Sequence, residues 1–135
     1  MSTTTTQRIG VWPFFRYRDC PAAIRFLTET LGFEAGIVAE GTEPGTVVHA
    51  ELRWPAGGGI MLGSTAPSNE HLGSPPGTGA VYLVTDEPDE LYARARAAGA
   101  NIVREIQDMD YGSREFAVRD PEGVYWSFGT YAGSF

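Results

Sequence analysis

The chain has 135 residues, of which 42% are hydrophobic and 20% charged, a composition typical of a single globular domain. Seventeen acidic residues against ten basic ones give a net charge of −7, so we expect no basic patch and no nucleic-acid partner. No apolar run is long enough to cross a membrane, and the single cysteine, Cys20, excludes an internal disulfide and favours a cytoplasmic location.

The first ten residues, "MSTTTTQRIG", contain no apolar segment of the kind found in a signal peptide. We therefore predict a disordered N-terminal tail over residues 1–9. The ordered domain is predicted over residues 10–131.

Two stretches of the chain repeat one pattern: "FFRYRDCPAAIRFLTETLGFEAG" and "VYLVTDEPDELYARARAAGANIV". Each predicts a strand, an aspartate, a helix begun by proline, a glycine and another strand. Asp19 and Asp86 lie 67 positions apart, as do Gly32 and Gly99. The repeat predicts two βαβββ units, over residues 10–64 and 78–131.

In the first unit, Asp19 is predicted to cap a helix that has Pro21 in its first turn and ends at Gly32. The apolar stripe of that helix is Ile24, Leu27 and Leu31. The following segment "TVVHAELRW" alternates as a strand does. One face is predicted to carry Val48, Ala50, Leu52 and Trp54, and the other His49, Glu51 and Arg53.

The segment over residues 65–77 is rich in Ser, Pro and Gly and is predicted to link the two units. In the second unit, Asp86 and Pro88 are predicted to begin the helix and Gly99 to end it. Its inward side chains are predicted to be Leu91, Ala95 and Ala98. The run "GSREFAVRD" sets Phe116 and Val118 against Glu115 and Ala117, and the turn "DPEG" leads into the last strand.

The two units, the phrase "FLTETLGF" and the ending "VRDPEGVYWSF" together resemble the vicinal oxygen chelate superfamily. That superfamily includes glyoxalases, extradiol dioxygenases and bleomycin-type resistance proteins. The resemblance covers residues 10–131 and implies an α+β fold in which the bent mixed sheets of the two units enclose a cavity. It also implies a homodimer, since edge strands need covering.

Metal-dependent members of this superfamily place one ligand on each of four strands. The resemblance carries those four places onto Trp12, Met61, Ala80 and Ser127. None of these side chains suits a divalent ion, which prefers imidazole, carboxylate or thiolate ligands. The resemblance therefore implies a protein with no metal and no cofactor. The alternative is an unconventional site at His49 and Glu51, with Glu115.

Strand alternation divides the remaining side chains into a layer under the helices and a layer facing the cavity. The helix-facing layer is predicted to be Phe15, Tyr17, Ile60, Leu62, Val81, Leu83, Trp126 and Phe128. The cavity-facing candidates for ligand binding are Trp12, Phe14, Arg16, His49, Glu51, Met61, Tyr82, Glu115, Tyr125 and Ser127. Tyr111, in a turn, either reaches the mouth of the cavity or merely packs.

A cavity lined by aromatic rings and a few polar groups suits flat, aromatic or cationic organic molecules. The sequence therefore favours a protein that binds an antibiotic or metabolite without changing it, as bleomycin-type resistance proteins do. The alternative is a lyase or isomerase that uses Glu51, Glu115 or His49 as a general base, or a dioxygenase with a displaced metal. A third interpretation is an interaction module with a filled cavity.

Overall fold

The computed structural model describes residues 8–134, so most of the predicted disordered tail lies outside the described residues. The first unit contains β1 (Phe14–Tyr17), helix α1 (Cys20–Arg25) with a π-helical continuation (Phe26–Thr30), β2 (Glu34–Glu40), β3 (Val47–Arg53) and β4 (Gly59–Ser64). The second contains β5 (Ala80–Val84), α2 (Pro88–Ala97), β6 (Asn101–Asp108), β7 (Arg114–Arg119) and β8 (Tyr125–Gly129). Residues 65–79, between the units, form turns and irregular structure.

Each unit forms one four-stranded sheet, in the order β1-β4-β3-β2 and β5-β8-β7-β6. The first strand of each unit pairs in parallel with its last strand, and the other pairs are antiparallel. Each helix follows the first strand and returns the chain to the far edge of the sheet. This is the predicted α+β fold of two βαβββ units, and that prediction is confirmed.

The helix ends follow the predicted chemistry in the first unit but only partly in the second. The Asp19 carboxylate accepts a hydrogen bond from the backbone N–H of Ala22 at 3.1 Å, so it is the N-cap of α1. In the second unit the N-cap is Glu87, one residue after the predicted Asp86, and its side chain makes no capping bond. Pro88 takes the first helical position, which moves the cap to the residue before it.

The predicted inward faces of the two helices need one correction. In the first unit Leu27 and Leu31 are fully buried, and Ile24 packs against the core. In α2 Ala95 is fully buried and Leu91 packs against the core, but Ala98 is exposed. Ala98 is the C-cap, where the chain is already leaving the helix axis towards Gly99, whose φ is +76°.

Strand β3 departs from the predicted alternation at its first residues. Ala50, Leu52 and Trp54 are buried as predicted, but Val48 is 65% exposed and Val47 is buried in its place. The register with β2 shifts between Ala39 and Glu40, which leaves Val48 as an extra residue on β3. Such a bulge reverses the side-chain alternation on one side of it, so the prediction for Val48 is wrong.

The two units share one hydrophobic core, built from the helix-facing sides of both sheets. The predicted layer is present: Tyr17, Ile60, Leu62, Leu83, Trp126 and Phe128 are buried, and Phe15 and Val81 pack against them. The rings of Trp54 and Phe128 lie 5.9 Å apart, and those of Phe15 and Trp126 5.6 Å apart, each pair joining the units. Among the described residues, neither helix has the length and apolar character needed to cross a lipid bilayer.

A buried carboxylate also ties the units together. Asp120, in the turn before β8, accepts hydrogen bonds from the hydroxyl of Tyr17 at 2.5 Å and the indole N–H of Trp126 at 3.1 Å. Its other oxygen accepts three backbone N–H groups of the same turn. The "DPEG" turn therefore orders β8 and fixes the first strand of the other unit against it.

Candidate functional site

The cavity-facing side chains lie on two surfaces that point away from the shared core. Because the helix-facing sides of both sheets pack together, their opposite sides face outward in different directions. The predicted candidates divide between these two surfaces. Trp12, Phe14, Arg16, His49, Glu51 and Met61 belong to the first unit, and Tyr82, Glu115, Tyr125 and Ser127 to the second.

On the first surface, the Trp12 ring covers Gly59 of β4 and the Arg16 guanidinium covers Gly63. Trp12 precedes β1, and its ring lies so close to Gly59 that a Cβ there would fall 2.6 Å from a ring carbon. The indole N–H donates to the carbonyl of Ile9 at 3.1 Å, which fixes the ring plane. Phe14 is half exposed, and Met61 lies beside it on β4.

The polar groups of the first surface are a cation and a hydrogen-bonded pair. The Arg16 guanidinium carbon lies 5.7 Å from the centre of the Phe14 ring. Arg16 Nε is buried and has no hydrogen-bond partner within residues 8–134. His49 Nε2 and Glu51 Oε2 are 2.7 Å apart on β3, and both side chains are about 40% exposed. The first surface therefore offers a positive group beside aromatic rings.

On the second surface, three tyrosines surround one buried carboxylate. Glu115 on β7 is only 4% exposed, and its Oε1 accepts a hydrogen bond from the Tyr111 hydroxyl at 2.7 Å. The Tyr82 hydroxyl donates to the carbonyl of Tyr131 at 2.7 Å. These four residues line a cavity of about 490 Å³. We call this arrangement the tyrosine cage.

A glycine on β8 makes room for the cage. Gly129 is the β8 residue paired with Glu115 on β7, and it presents no side chain to the cavity. A Cβ at this place would lie 2.5 Å from the Tyr82 hydroxyl oxygen and 2.7 Å from Glu115 Cγ. The position of Tyr82 and Glu115 over the sheet therefore depends on glycine at position 129.

The cage modifies the acidity of its own hydroxyls. The hydrogen bond to Glu115 is the largest cause that raises the pKa of Tyr111 above its usual value. Burial is the largest cause that raises the pKa of Tyr82, and the charge of Glu115 adds to it. Because both pKa values are raised, both rings remain neutral phenols at physiological pH.

Of the predicted candidates, Tyr82 and Glu115 come together in the cage. Ser127 lies next to Tyr82 on the neighbouring strand, and Tyr125 stacks under the Arg119 guanidinium at 5.4 Å. Tyr111, which had two possible roles, reaches the cavity. Tyr131 was not among the predicted residues, because it follows the last strand, where no periodicity indicates its direction.

At the four positions where metal-dependent members of the superfamily carry metal ligands, this chain has side chains that do not suit a divalent ion. The positions carried by the resemblance hold an indole, a thioether, a methyl group and a hydroxyl, at Trp12, Met61, Ala80 and Ser127. The alternative set is divided, since His49 and Glu51 lie on one sheet and Glu115 on the other. In the part of the chain that the structure describes, no three His, Cys, Asp or Glu side chains are grouped to hold a metal ion.

Comparison with known proteins agrees with the fold. The chain is 32% identical over 120 residues to an uncharacterized protein of Mycobacterium bovis, an alignment that covers 82% of this chain and 76% of the relative. Among solved structures it is similar to TioX from Micromonospora sp. ML1, with 30% identity, a TM-score of 0.72 and coverage of 91% of this chain and 100% of the other. It is also similar to a glyoxalase/bleomycin resistance protein/dioxygenase superfamily member from Sphaerobacter thermophilus, with 25% identity, a TM-score of 0.70 and coverage of 90% and 97%.

The family comparison extends over nearly the whole domain. Residues 11–128 match the family described as Glyoxalase/Bleomycin resistance protein/Dioxygenase superfamily. This confirms the resemblance that the repeat and the final strand indicated. The chain belongs to the glyoxalase/bleomycin resistance protein/dioxygenase superfamily.

Proposed function

We propose that this protein binds an organic small molecule and releases it chemically unchanged. The observation that carries the proposal is the tyrosine cage, a cavity of about 490 Å³ lined by rings and one carboxylate. Its size and lining are those of a small-molecule site. The exposed ring of Phe14 and the half-buried ring of Trp12 give the other surface a similar aromatic character.

The complete site is proposed to form in a homodimer. In one chain the two candidate surfaces face away from each other, so neither is covered by the other. A second copy would place the first unit of one chain against the second unit of its partner. The exposed apolar side chains on and beside these surfaces support this arrangement, among them Phe14, Leu72, Tyr82, Tyr111 and Tyr131.

An antibiotic or a metabolite is the ligand class that we propose, with sequestration in the cytoplasm as the role. The family description includes bleomycin resistance proteins, and the mismatch at the four metal places argues for binding rather than metal-assisted chemistry. Cys20 is free and buried, which suits a reducing compartment.

A thermal-shift screen of antibiotics and metabolites tests the proposal. We expect at least one compound to raise the unfolding temperature, because a ligand that binds only the folded state stabilises it. Mass spectrometry of the recovered compound should then show an unchanged mass. A compound that is bound and converted would contradict the proposal, as would a screen without a single stabilising compound.

The second candidate function is an enzyme of the lyase, isomerase or dioxygenase type. The observation that favours it is the 2.7 Å contact between His49 Nε2 and Glu51 Oε2, because a carboxylate that orients an imidazole is a common general-base arrangement. Elemental analysis of the purified protein distinguishes a metal-dependent enzyme from the proposed binding protein. About one equivalent of iron, manganese, nickel or zinc, lost in a His49→Ala variant, would favour the enzyme.

A further inference from the structure

The tyrosine cage has the composition of a site for an organic cation. Three phenol rings and one carboxylate line the cavity, and each of these groups presents negative potential. The rings of Tyr111 and Tyr131 stand nearly perpendicular to each other, at 79°, with their centres 6.3 Å apart. Two walls of the cavity are therefore set at a right angle.

The segment after β8 is held in place over the sheet. The backbone N–H of Tyr131 donates to Ser113 Oγ at 3.0 Å, and Thr130 Oγ1 accepts from the backbone N–H of Arg114 at 3.2 Å. The Tyr82 hydroxyl binds the Tyr131 carbonyl from the other side. Tyr131 is therefore a fixed wall of the cage, although it lies outside any strand.

Two of the three tyrosine hydroxyls of the cage donate within the protein. Tyr111 donates to Glu115, and Tyr82 donates to Tyr131. Apart from the Tyr131 hydroxyl, a ligand in the cavity therefore meets aromatic rings and the carboxylate, an arrangement that favours cations over anions.

Arg104 supplies part of the balancing charge at the rear of the carboxylate. Its Nη1 lies 3.8 Å from Glu115 Oε1, beyond hydrogen-bond distance, and Arg104 is not among the residues that line the cavity. The other oxygen, Oε2, lies above Gly129. Because this ion pair joins Arg104 to Oε1 without a hydrogen bond, a cation that enters the cavity still gains from the charge of the buried carboxylate.

We propose that the tyrosine cage, formed by Tyr82, Tyr111, Tyr131 and Glu115, binds the methylated ammonium group of an organic cation. This inference rests on the proposed function and names the chemical class of the ligand. The methyl groups contact the ring faces, and the positive charge lies near Glu115. A trimethylammonium group suits these walls because it needs no hydrogen-bond acceptor.

Choline and its neutral carbon isostere, 3,3-dimethylbutan-1-ol, test the charge requirement directly. The two molecules have nearly the same shape and differ in charge, and both can be titrated into the ¹⁵N-labelled protein by NMR. We expect choline to bind about tenfold more tightly, with shifts centred on Glu115, Gly129 and Tyr131. Equal affinity for the two probes, or no binding of choline, would overturn the inference.

Matched variants test whether choline binds at the tyrosine cage. Glu115→Gln keeps the shape of the side chain and should remove the preference for choline, whereas Glu29→Gln, an exposed residue of the π-helical turn, should retain it. Tyr131→Ala, outside the strands, provides a second variant should Glu115→Gln not fold, and it should weaken choline binding at least fivefold. If Tyr131→Ala and Glu29→Gln both bind choline as the parent protein does, the cage is not the site.

The choline titration and the thermal-shift screen together distinguish an error in the cation inference from an error in the proposed function. If choline fails but the thermal-shift screen finds neutral ligands that bind and are recovered unchanged, only the cation inference is wrong. If the screen finds no ligand and choline does not bind either, the proposed function and the cation inference are both wrong. If choline binds at the cage, the inference stands whatever other ligands the screen finds.

Discussion

At the scale of single residues, Trp12 tests whether the first surface takes part in binding. Its ring covers Gly59 and lies outside the buried core cluster. We therefore expect Trp12→Ala to weaken binding of an aromatic ligand by about 1–3 kcal/mol, the range for losing an aromatic contact at a binding surface. Fluorescence titration measures this change, because Trp54 and Trp126 are core residues and should respond less.

The neighbouring residue provides the control for Trp12. Val11 is 82% exposed, so Val11→Ala should leave ligand affinity and the urea midpoint close to those of the parent. Trp12→Ala should also leave the urea midpoint nearly unchanged. A Trp12→Ala protein that unfolds, or that binds as tightly as the parent, would show that Trp12 belongs to the core or takes no part in binding.

Because of the buried Cys20 thiol, we expect the free energy of unfolding to fall at alkaline pH. The thiol is fully buried, and burial raises its pKa from 9.0 to about 12. Between these values the unfolded chain loses the thiol proton while the folded chain keeps it. The contribution of Cys20 to stability is therefore complete below pH 9 and declines as the pH rises towards 12, by at most about 1.4 kcal/mol per pH unit.

Urea unfolding at a series of pH values measures this slope. Burial also raises the pKa of Tyr17, with the charge of Asp120 as the second cause, so the parent should lose stability from both groups. Cys20→Ala should lose less stability between pH 9 and 10.5 than the parent does, each protein being compared with itself at pH 8. Identical slopes for the two proteins would show that the thiol does not contribute.

At the scale of the helices, the two units offer a matched pair of caps. The Asp19 carboxylate accepts a hydrogen bond from the backbone N–H of Ala22, whereas the N-cap of α2, Glu87, makes no side-chain capping bond. Asp19→Ala should therefore lower the free energy of unfolding by about 0.5–2 kcal/mol. Asp86→Ala should change it by less than about 0.5 kcal/mol, and urea unfolding of both variants checks the difference.

The repeat made the succession of strands and helix along the chain predictable in both units. Alternating side chains correctly placed the buried layer of Ile60, Leu62, Trp126 and Phe128, because each strand has one face against the shared core. The bulge at Val48 was not predictable in this way. It results from the register between β2 and β3, which depends on two strands at once.

Local chemistry likewise indicated helices but not their details. The π-helical turn over Phe26–Thr30 continues α1 without proline or glycine to mark the change. In α2 the repeat predicts Asp86 as the cap, but the proline two residues later sets the helix start at Pro88. Helix ends depend on competition between neighbouring residues, which a spacing pattern does not resolve.

The candidate site was predictable as far as strand parity extends. Tyr82 and Glu115 lie on strands whose alternation turns them to the cavity side, and both line the cage. Tyr131 follows the last strand, and its place depends on a hydrogen bond to Ser113, 18 residues earlier in the chain. Contacts of this kind require the folded structure.

At the scale of the whole molecule, the two units are joined firmly on their helix sides. Glu122 accepts hydrogen bonds from the backbone N–H groups of Arg18 and Asp19, at 2.7 and 2.8 Å, and Asp120 bonds Tyr17. Trp54 donates to the carbonyl of Val84 in the other unit at 2.8 Å. These contacts keep the two candidate surfaces of one chain apart, so a site that uses both needs a second chain.

We therefore expect a homodimer whose mass by light scattering is about twice the 14.6 kDa of the chain at micromolar concentration.

Mixing two variants tests whether each binding site of the dimer is built from both chains. In a mixed dimer of Trp12→Ala and Tyr131→Ala chains, a crossed arrangement gives one site with both lesions and one intact site. Sites confined to single chains would all carry one lesion. Refolding an equal mixture should therefore restore parent affinity for the screened ligand at a fraction of the sites, while neither variant alone shows it. A monomer, or a mixture that binds no better than the separate variants, would contradict the crossed homodimer.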